Sequence, residues 1–224
     1  MKHKTMSAKE SSRIKVIIFD CDGVLLESVE IKGEVFRRLG QRLGPEAGEG
    51  LWAYDRRHGG VNRREKFAWC FEQFAGRPIS DEEMEQWSQD FRQMTIEKLL
   101  DCPLTPGALE TLKSWRGRLP LYVASGSTED DLRLVLERRG LAEYFAGIYG
   151  YPPSKEEILR KILALEDVGP EKALMVGDSS TDLEAAEAVG LDFYGRGDFQ
   201  GSGWPSHGDL TRLNEFLEEV ASVG

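Results

Sequence analysis

Two carboxylates one residue apart close an apolar run at Ile17-Ile18-Phe19-Asp20-Cys21-Asp22-Gly23. Like charges that close repel unless a cation or a shared proton neutralises them. The pair therefore points to a metal site with a nucleophilic carboxylate, although Asp and Gly are also ordinary turn residues. A second acidic pair, Asp178 and Asp182, lies in Gly177-Asp178-Ser179-Ser180-Thr181-Asp182. Its spacing of four puts both acids on one side of a helix. Helix capping accounts for such residues too, but two acids there also favour a cation. Ser125 ends an apolar stretch and is either a turn residue or a hydroxyl donor. Lys155 stands in the first turn of an expected helix, where the macrodipole disfavours a cation. Glu156 and Glu157 soften that cost, yet an anion beside Lys155 explains it better.

The elements that must position these residues follow from the pattern of apolar positions. Ile14 to Phe19 reads as a buried parallel strand. From Val29 to Leu100 the spacing is helical. Val35, Phe36 and Leu39 form one stripe; Phe67, Trp69, Cys70, Phe71 and Phe74 form another; Met84, Trp87, Phe91, Met94 and Ile96 form a third. These aromatic stripes are expected to be core. Beyond Pro103 strands and helices alternate. Thr105-Pro106 is expected to open a helix ending near Trp115. Leu119 to Ala124 is a strand, and Ser127 with Asp130 has capping-box spacing for a helix from Thr128 to Arg139. Phe145 to Tyr149 is a strand. Ser154 and Glu157 cap a helix from Lys155 to Glu166. Lys172 to Val176 is a strand followed by a helix to Val189. Leu191 to Tyr194 is an expected edge strand, and Asp209 to Val220 a closing helix. The fold class is α/β: a doubly wound parallel sheet with an inserted all-helical unit at residues 29–100, flanked by 1–28 and 101–224. In such a sheet Asp20, Asp22, Ser125, Lys155, Asp178 and Asp182 all come to one edge.

The order Phe19-Asp20-Cys21-Asp22-Gly23-Val24-Leu25, Ala124-Ser125-Gly126-Ser127, Lys155, and Val176-Gly177-Asp178-Ser179-Ser180-Thr181-Asp182 resembles the haloacid dehalogenase superfamily. The likeness is to its phosphatase and β-phosphoglucomutase-like branch, with a Rossmann-like core and a small helical cap. The resemblance implies that Asp20 is a nucleophile forming a phosphoaspartyl intermediate, and that Asp22 is general acid and then base. It implies Mg2+ bound through Asp20, the Asp22 main chain and Asp178, with Asp182 orienting that set. Ser125, Gly126 and Lys155 would hold the phosphoryl group.

Specificity is expected in the insert. The segment His58-Gly59-Gly60-Val61-Asn62-Arg63-Arg64 is similar to that branch's specificity loop, which makes Asn62 and Arg63 candidate substrate contacts; a solvated helix start is the alternative. Lys32 stands where many relatives carry a histidine, which tilts the expectation toward hydrolysis of a small phosphorylated metabolite, phosphoglycolate-like or sugar-phosphate-like. A sugar-phosphate mutase is the alternative, as is a non-catalytic phospho-ligand-binding relative. A phosphonate-cleaving relative would need a Schiff-base lysine, with Lys32 or Lys66 in that role. Cys21 is expected to pack.

The formal net charge of −10 argues against nucleic-acid or anionic-membrane partners. Three scattered cysteines and the lack of a long apolar run fit a reduced, cytoplasmic protein. It is expected to be a monomer or dimer. Met1 to Ser12 reads as a polar tail.

Overall fold

The computed structural model describes residues 14–221; the polar tail expected at 1–12 lies outside them. The chain runs β1 (Val16–Phe19), α1 (Val29–Gly40), α2 (Pro45–Arg57), α3 (Arg63–Phe74), α4 (Asp81–Asp101) and α5 (Ala108–Trp115). It continues through β2 (Leu121–Thr128), α6 (Glu129–Arg138), β3 (Gly147–Tyr151), α7 (Lys155–Glu166), β4 (Ala173–Gly177) and α8 (Ser180–Val189). β5 (Asp192–Arg196), β6 (Ser206–His207) and α9 (Leu213–Val220) complete it.

The six strands pair in parallel in the order β3-β2-β1-β4-β5-β6. The strand period of two explains both layers. Ile17 and Phe19 face the side covered by Leu112, Trp115, Leu132 and Leu217. Val16 and Ile18 face Ile158, Leu159, Ile162 and Ala186 on the other side. A strand buried on both faces must be apolar at every position, which is why Val16–Phe19 carries no alternation. β1 sits between β2 and β4, and the Asp20 amide donates to the Val176 carbonyl at 2.9 Å. Asp20 is therefore delivered level with the end of β4 at Gly177 and beside Ala124 of β2.

Helices α1 to α4 bury their own cluster around Phe36, Phe67, Phe71, Trp87 and Phe91. Most of the expected aromatic stripes are core, with Phe74 exposed and Trp69 partly buried: Phe67 meets Trp87 edge-on at 5.3 Å between centroids, and Phe71 meets it at 4.9 Å.

Several local expectations are corrected. The helix expected from Thr105-Pro106 begins at Ala108, with Gly107 as its cap. Residues 103–105 are held instead against the chain after β1, where Glu27 donates to Pro103 and Thr105 to Leu25. The cap of α6 is shifted by one: Thr128 donates its hydroxyl to Asp131 at 2.8 Å, while Ser127 is drawn to Asp22. β2 runs on to Thr128, and the third strand lies two residues later than expected. β5 is not the edge, because β6 pairs outside it. The closing helix starts at Leu213; Asp209 caps a turn by accepting from Thr211. No described helix is long and apolar enough to cross a membrane.

Candidate active site

Asp20 leaves the end of β1 into a buried position, 3% exposed. Its Oδ1 has no hydrogen-bond partner, and the Lys155 ammonium stands 3.5 Å away. One oxygen each from Asp20, Asp178 and Asp182 lie within 4.8 Å of one another. Burial pushes the Asp20 carboxyl up to about 7; Lys155 pulls against this, while Asp182 and Asp22 add to it. Burial likewise pushes Asp178 up to about 8, with Asp20 and Asp182 adding to it. An orphaned carboxylate oxygen inside an all-oxygen acidic cluster fits a hard divalent cation such as Mg2+.

The supports of this cluster are local. Gly23 has φ +75, and a Cβ there would lie 2.0 Å from an Asp178 oxygen, so only glycine allows the two loops to close. Ser154 and Glu157 form the expected capping box, which starts α7 at Lys155. Lys155 reaches Asp182 and Asp20. Burial alone would lower its pKa, but Asp182 and Asp20 outweigh that and hold it above the usual ammonium range. Asp182, fully buried, accepts from the amides of Asp178 and Ser179 at 3.2 and 3.1 Å. It thus fixes the loop that carries Asp178.

Asp22 stands apart from the acidic cluster. Its Oδ1 accepts from the Ser28 hydroxyl at 2.6 Å. Its Oδ2 accepts from Lys32 at 2.5 Å and from the Ser127 hydroxyl at 2.8 Å. With its side chain taken up by Ser28, Lys32 and Ser127, Asp22 has its main chain for the expected metal contact. Burial acts to raise the Asp22 pKa, but Lys32 and the two hydroxyls hold it below the usual carboxylate range. Cys21 between the acids is buried and packs in the core; burial and Asp22 push its thiol well up. That matches its expected packing role.

Ser125, 2% exposed, accepts from the Ser127 amide at 3.2 Å. It lines a cavity of about 410 Å³ together with Asp20, Asp178, Gly126, Asn62 and Arg63. Lys155 is reached through Asp20, behind that wall. The glycine segment before α3 lies over the sheet edge: Thr181 donates to the Gly59 carbonyl at 2.6 Å. A Cβ on Gly126 would come within 2.0 Å of the Gly60 carbonyl oxygen. Asn62 is taken up as the cap of α3, accepting from the Glu65 amide and donating to the Glu65 carboxylate. Arg63 is paired with Asp131 at 2.8 Å. Lys66 is paired with Asp55 in a buried ion pair at 2.6 Å.

Sequence reasoning did not single out Ser28 or Asp131, and it placed Ser127 only as a helix cap and as part of the Ala124–Ser127 motif. Ser127 and Asp131 act through long-range pairing with Asp22 and Arg63, whereas Ser28 lies six positions from Asp22; the Thr128–Asp131 capping spacing was obscured by the shifted cap.

Residues 14–190 match the model of the haloacid dehalogenase-like hydrolases. The chain belongs to that family. It is 29% identical over 184 residues to a phosphorylated carbohydrates phosphatase of Thermotoga maritima, covering 80% of this chain and 83% of that one. It is 28% identical over 191 residues to a phosphoglycolate phosphatase of Vibrio vulnificus, covering 81% and 83%. The β-phosphoglucomutase of Clostridium difficile superposes with a TM-score of 0.75 at 19% identity, covering 92% of this chain and 96% of that one. This last likeness bears on the fold, a parallel sheet with a helical insert.

Proposed function

We propose that this hydrolase is a magnesium-dependent phosphatase of a small phosphorylated metabolite, with residues 29–100 as its specificity cap over a core formed by 1–28 and 101–224. The observation that supports it most is the meeting of Asp20, Asp178, Asp182 and Lys155 at one sheet edge, with an Asp20 oxygen among them that accepts no hydrogen bond. Phosphate-ester hydrolysis is slow because charge repels charge, so such a site must neutralise and position.

Asp20 and Asp178, with the Asp22 main chain, would hold Mg2+, which supplies positive charge against the phosphoryl oxygens. An Asp20 oxygen attacks phosphorus while the bond to the leaving alkoxide breaks. Asp22 gives that alkoxide a proton. Asp22 then takes a proton from a water that attacks phosphorus, the bond to Asp20 breaks, and inorganic phosphate leaves. Lys155 offsets charge on the attacking carboxylate, and Ser125 donates to a phosphoryl oxygen. Lys32 holds Asp22 in its basic form here; the proton-giving step needs that grip loosened. Lys32 is thus fully engaged by Asp22 and Ser127, and Lys66 by Asp55, which disfavours either as a Schiff-base lysine.

The test is a panel of phosphorylated metabolites with and without magnesium, following phosphate release. Magnesium-dependent release supports the proposal. Isomerised product without net phosphate release would replace it with a mutase, and magnesium binding without any turnover would replace it with a binding role.

A further inference from the structure

The helical wall of the cavity is rich in cations, yet nearly all are already spent on carboxylates. Lys32 is paired with Asp22, Lys66 with Asp55, Arg56 with Glu30 and Arg63 with Asp131. Arg57, which is exposed and donates to the Ala53 carbonyl, has no carboxylate partner among the described residues.

The Arg63 pairing is the most constrained of these. Asp131 sits on α6, beneath the insert, with its side chain 13% exposed. Its Oδ2 accepts from Arg63 at 2.8 Å and from Thr128 at 2.8 Å. Its Oδ1 accepts from Arg92 on α4 at 2.5 Å. Arg63 also lies 5.6 Å from the centre of the Phe91 ring. One core carboxylate thus ties down two cap arginines from two helices. Arg63 donates through its Nη1 to Asp131, and its buried Nε has no hydrogen-bond partner.

Arg63 lines the cavity, and a neutral hydroxyl oxygen can accept from a guanidinium N–H that Asp131 leaves free without importing charge. Beside Arg63 and away from Arg57, a second anionic group would meet Asp131 and Asp55, both on the cavity wall, or would have to take Arg63 away from Asp131. Stripping a partly buried carboxylate of one of its two arginines is costly. From this we infer that Asp131 is a specificity-determining residue, which makes the site select phosphomonoesters with an uncharged, hydroxylated remainder over those carrying a second anion. This deepens the phosphatase proposal and rests on it.

The experiment compares sorbitol 6-phosphate with 6-phosphogluconate, which differ only in a remote hydroxymethyl group against a carboxylate. Wild-type enzyme with magnesium, Asp131→Asn and Arg63→Gln are assayed, with an aryl phosphate as a reference ester. The wild type should favour the neutral ester by at least about tenfold in kcat/KM, as like-charge contacts cost that much or more. Asp131→Asn frees the arginine and should narrow the ratio, chiefly through the KM of the carboxylate. Arg63→Gln leaves Asp131 without its main cavity-side partner and should widen it. A general loosening of the structure would move both variants the same way. The inference is overturned if the wild type takes 6-phosphogluconate as well or better, or if the two variants shift the ratio together or not at all. The wild-type ratio and Arg63→Gln decide it if Asp131→Asn does not fold. No hydrolysis of any of the three esters by the wild type overturns the phosphatase proposal itself, whereas hydrolysis with the wrong ratio overturns only this inference.

Discussion

Chelating the divalent cation should make this protein lose stability as pH rises from about 4 to about 8, the interval between the ordinary carboxyl pKa and the raised ones. Asp20 is pushed from 3.8 to about 7 and Asp178 from 3.8 to about 8, in both cases mainly by burial. Across that window the folded chain keeps a proton that the unfolded chain has released. The folded state then binds more protons, so the slope of unfolding free energy against pH is negative. Stability is full below the unfolded pKa and is lost as pH climbs through the folded one. For Asp20 alone the difference between 3.8 and about 7 is on the order of 4 kcal/mol. Asp178 shares the same field, so the pair is counted as one proton. In a chain of this size the loss amounts to roughly 8–16 °C of melting temperature. Magnesium should abolish the slope by keeping the carboxylates ionised, and should add about 2.7 kcal/mol at a hundredfold excess over its dissociation constant. The assay is thermal melting by circular dichroism at steps from pH 5 to pH 8, with chelator or with magnesium. The Asp20→Asn/Asp178→Asn double variant is the control and should show a flat chelated profile. A chelated melting temperature that stays constant or rises with pH would refute the reasoning, as would an equal fall with magnesium present.

Two further perturbations read other parts of the site. Lys32→Met removes the cation that holds the Asp22 carboxyl below its usual range, so more of Asp22 carries the proton that the leaving oxygen takes, and the kcat ratio of an alkyl phosphate to an aryl phosphate with a good leaving group should rise about tenfold. Steady-state kinetics on both esters checks this, and a ratio that falls contradicts it. Gly60→Ala places a Cβ 2.1 Å from the Thr181 hydroxyl at φ +79, a strain of about 1–3 kcal/mol; it should lift the loop from α8 and raise KM more than it lowers kcat.

Much of the acidic sheet edge is local in origin, and that is why it was legible in the sequence. An uninterrupted apolar run is what a central parallel strand needs, so Asp20 could be placed at a strand end. Ser154 and Glu157 form a cap within four residues, so α7 and Lys155 followed from spacing alone. Gly177 to Asp182 likewise carries its own turn and cap. The helical insert was visible through apolar periodicity. The illegible parts were made by distant chain. Residues 103–105 pair with the segment after β1, which overrode the proline signal for a helix start. Strand β6 has two polar residues and exists because β5 offers it an edge. The hold on Asp22 comes from Ser28, Lys32 and Ser127, the last 105 positions away. Arg63 looked like a free cap arginine, but Asp131, 68 positions on, claims it.

Asp20 is the proposed group that attacks phosphorus. The most direct measurement is the initial rate of aryl-phosphate hydrolysis by wild-type protein and Asp20→Asn at saturating magnesium. The wild type should turn over, and the variant, folded by its melting curve, should be slower by about 10³-fold or more, since a nucleophile has been removed. Comparable turnover by the two proteins would contradict it.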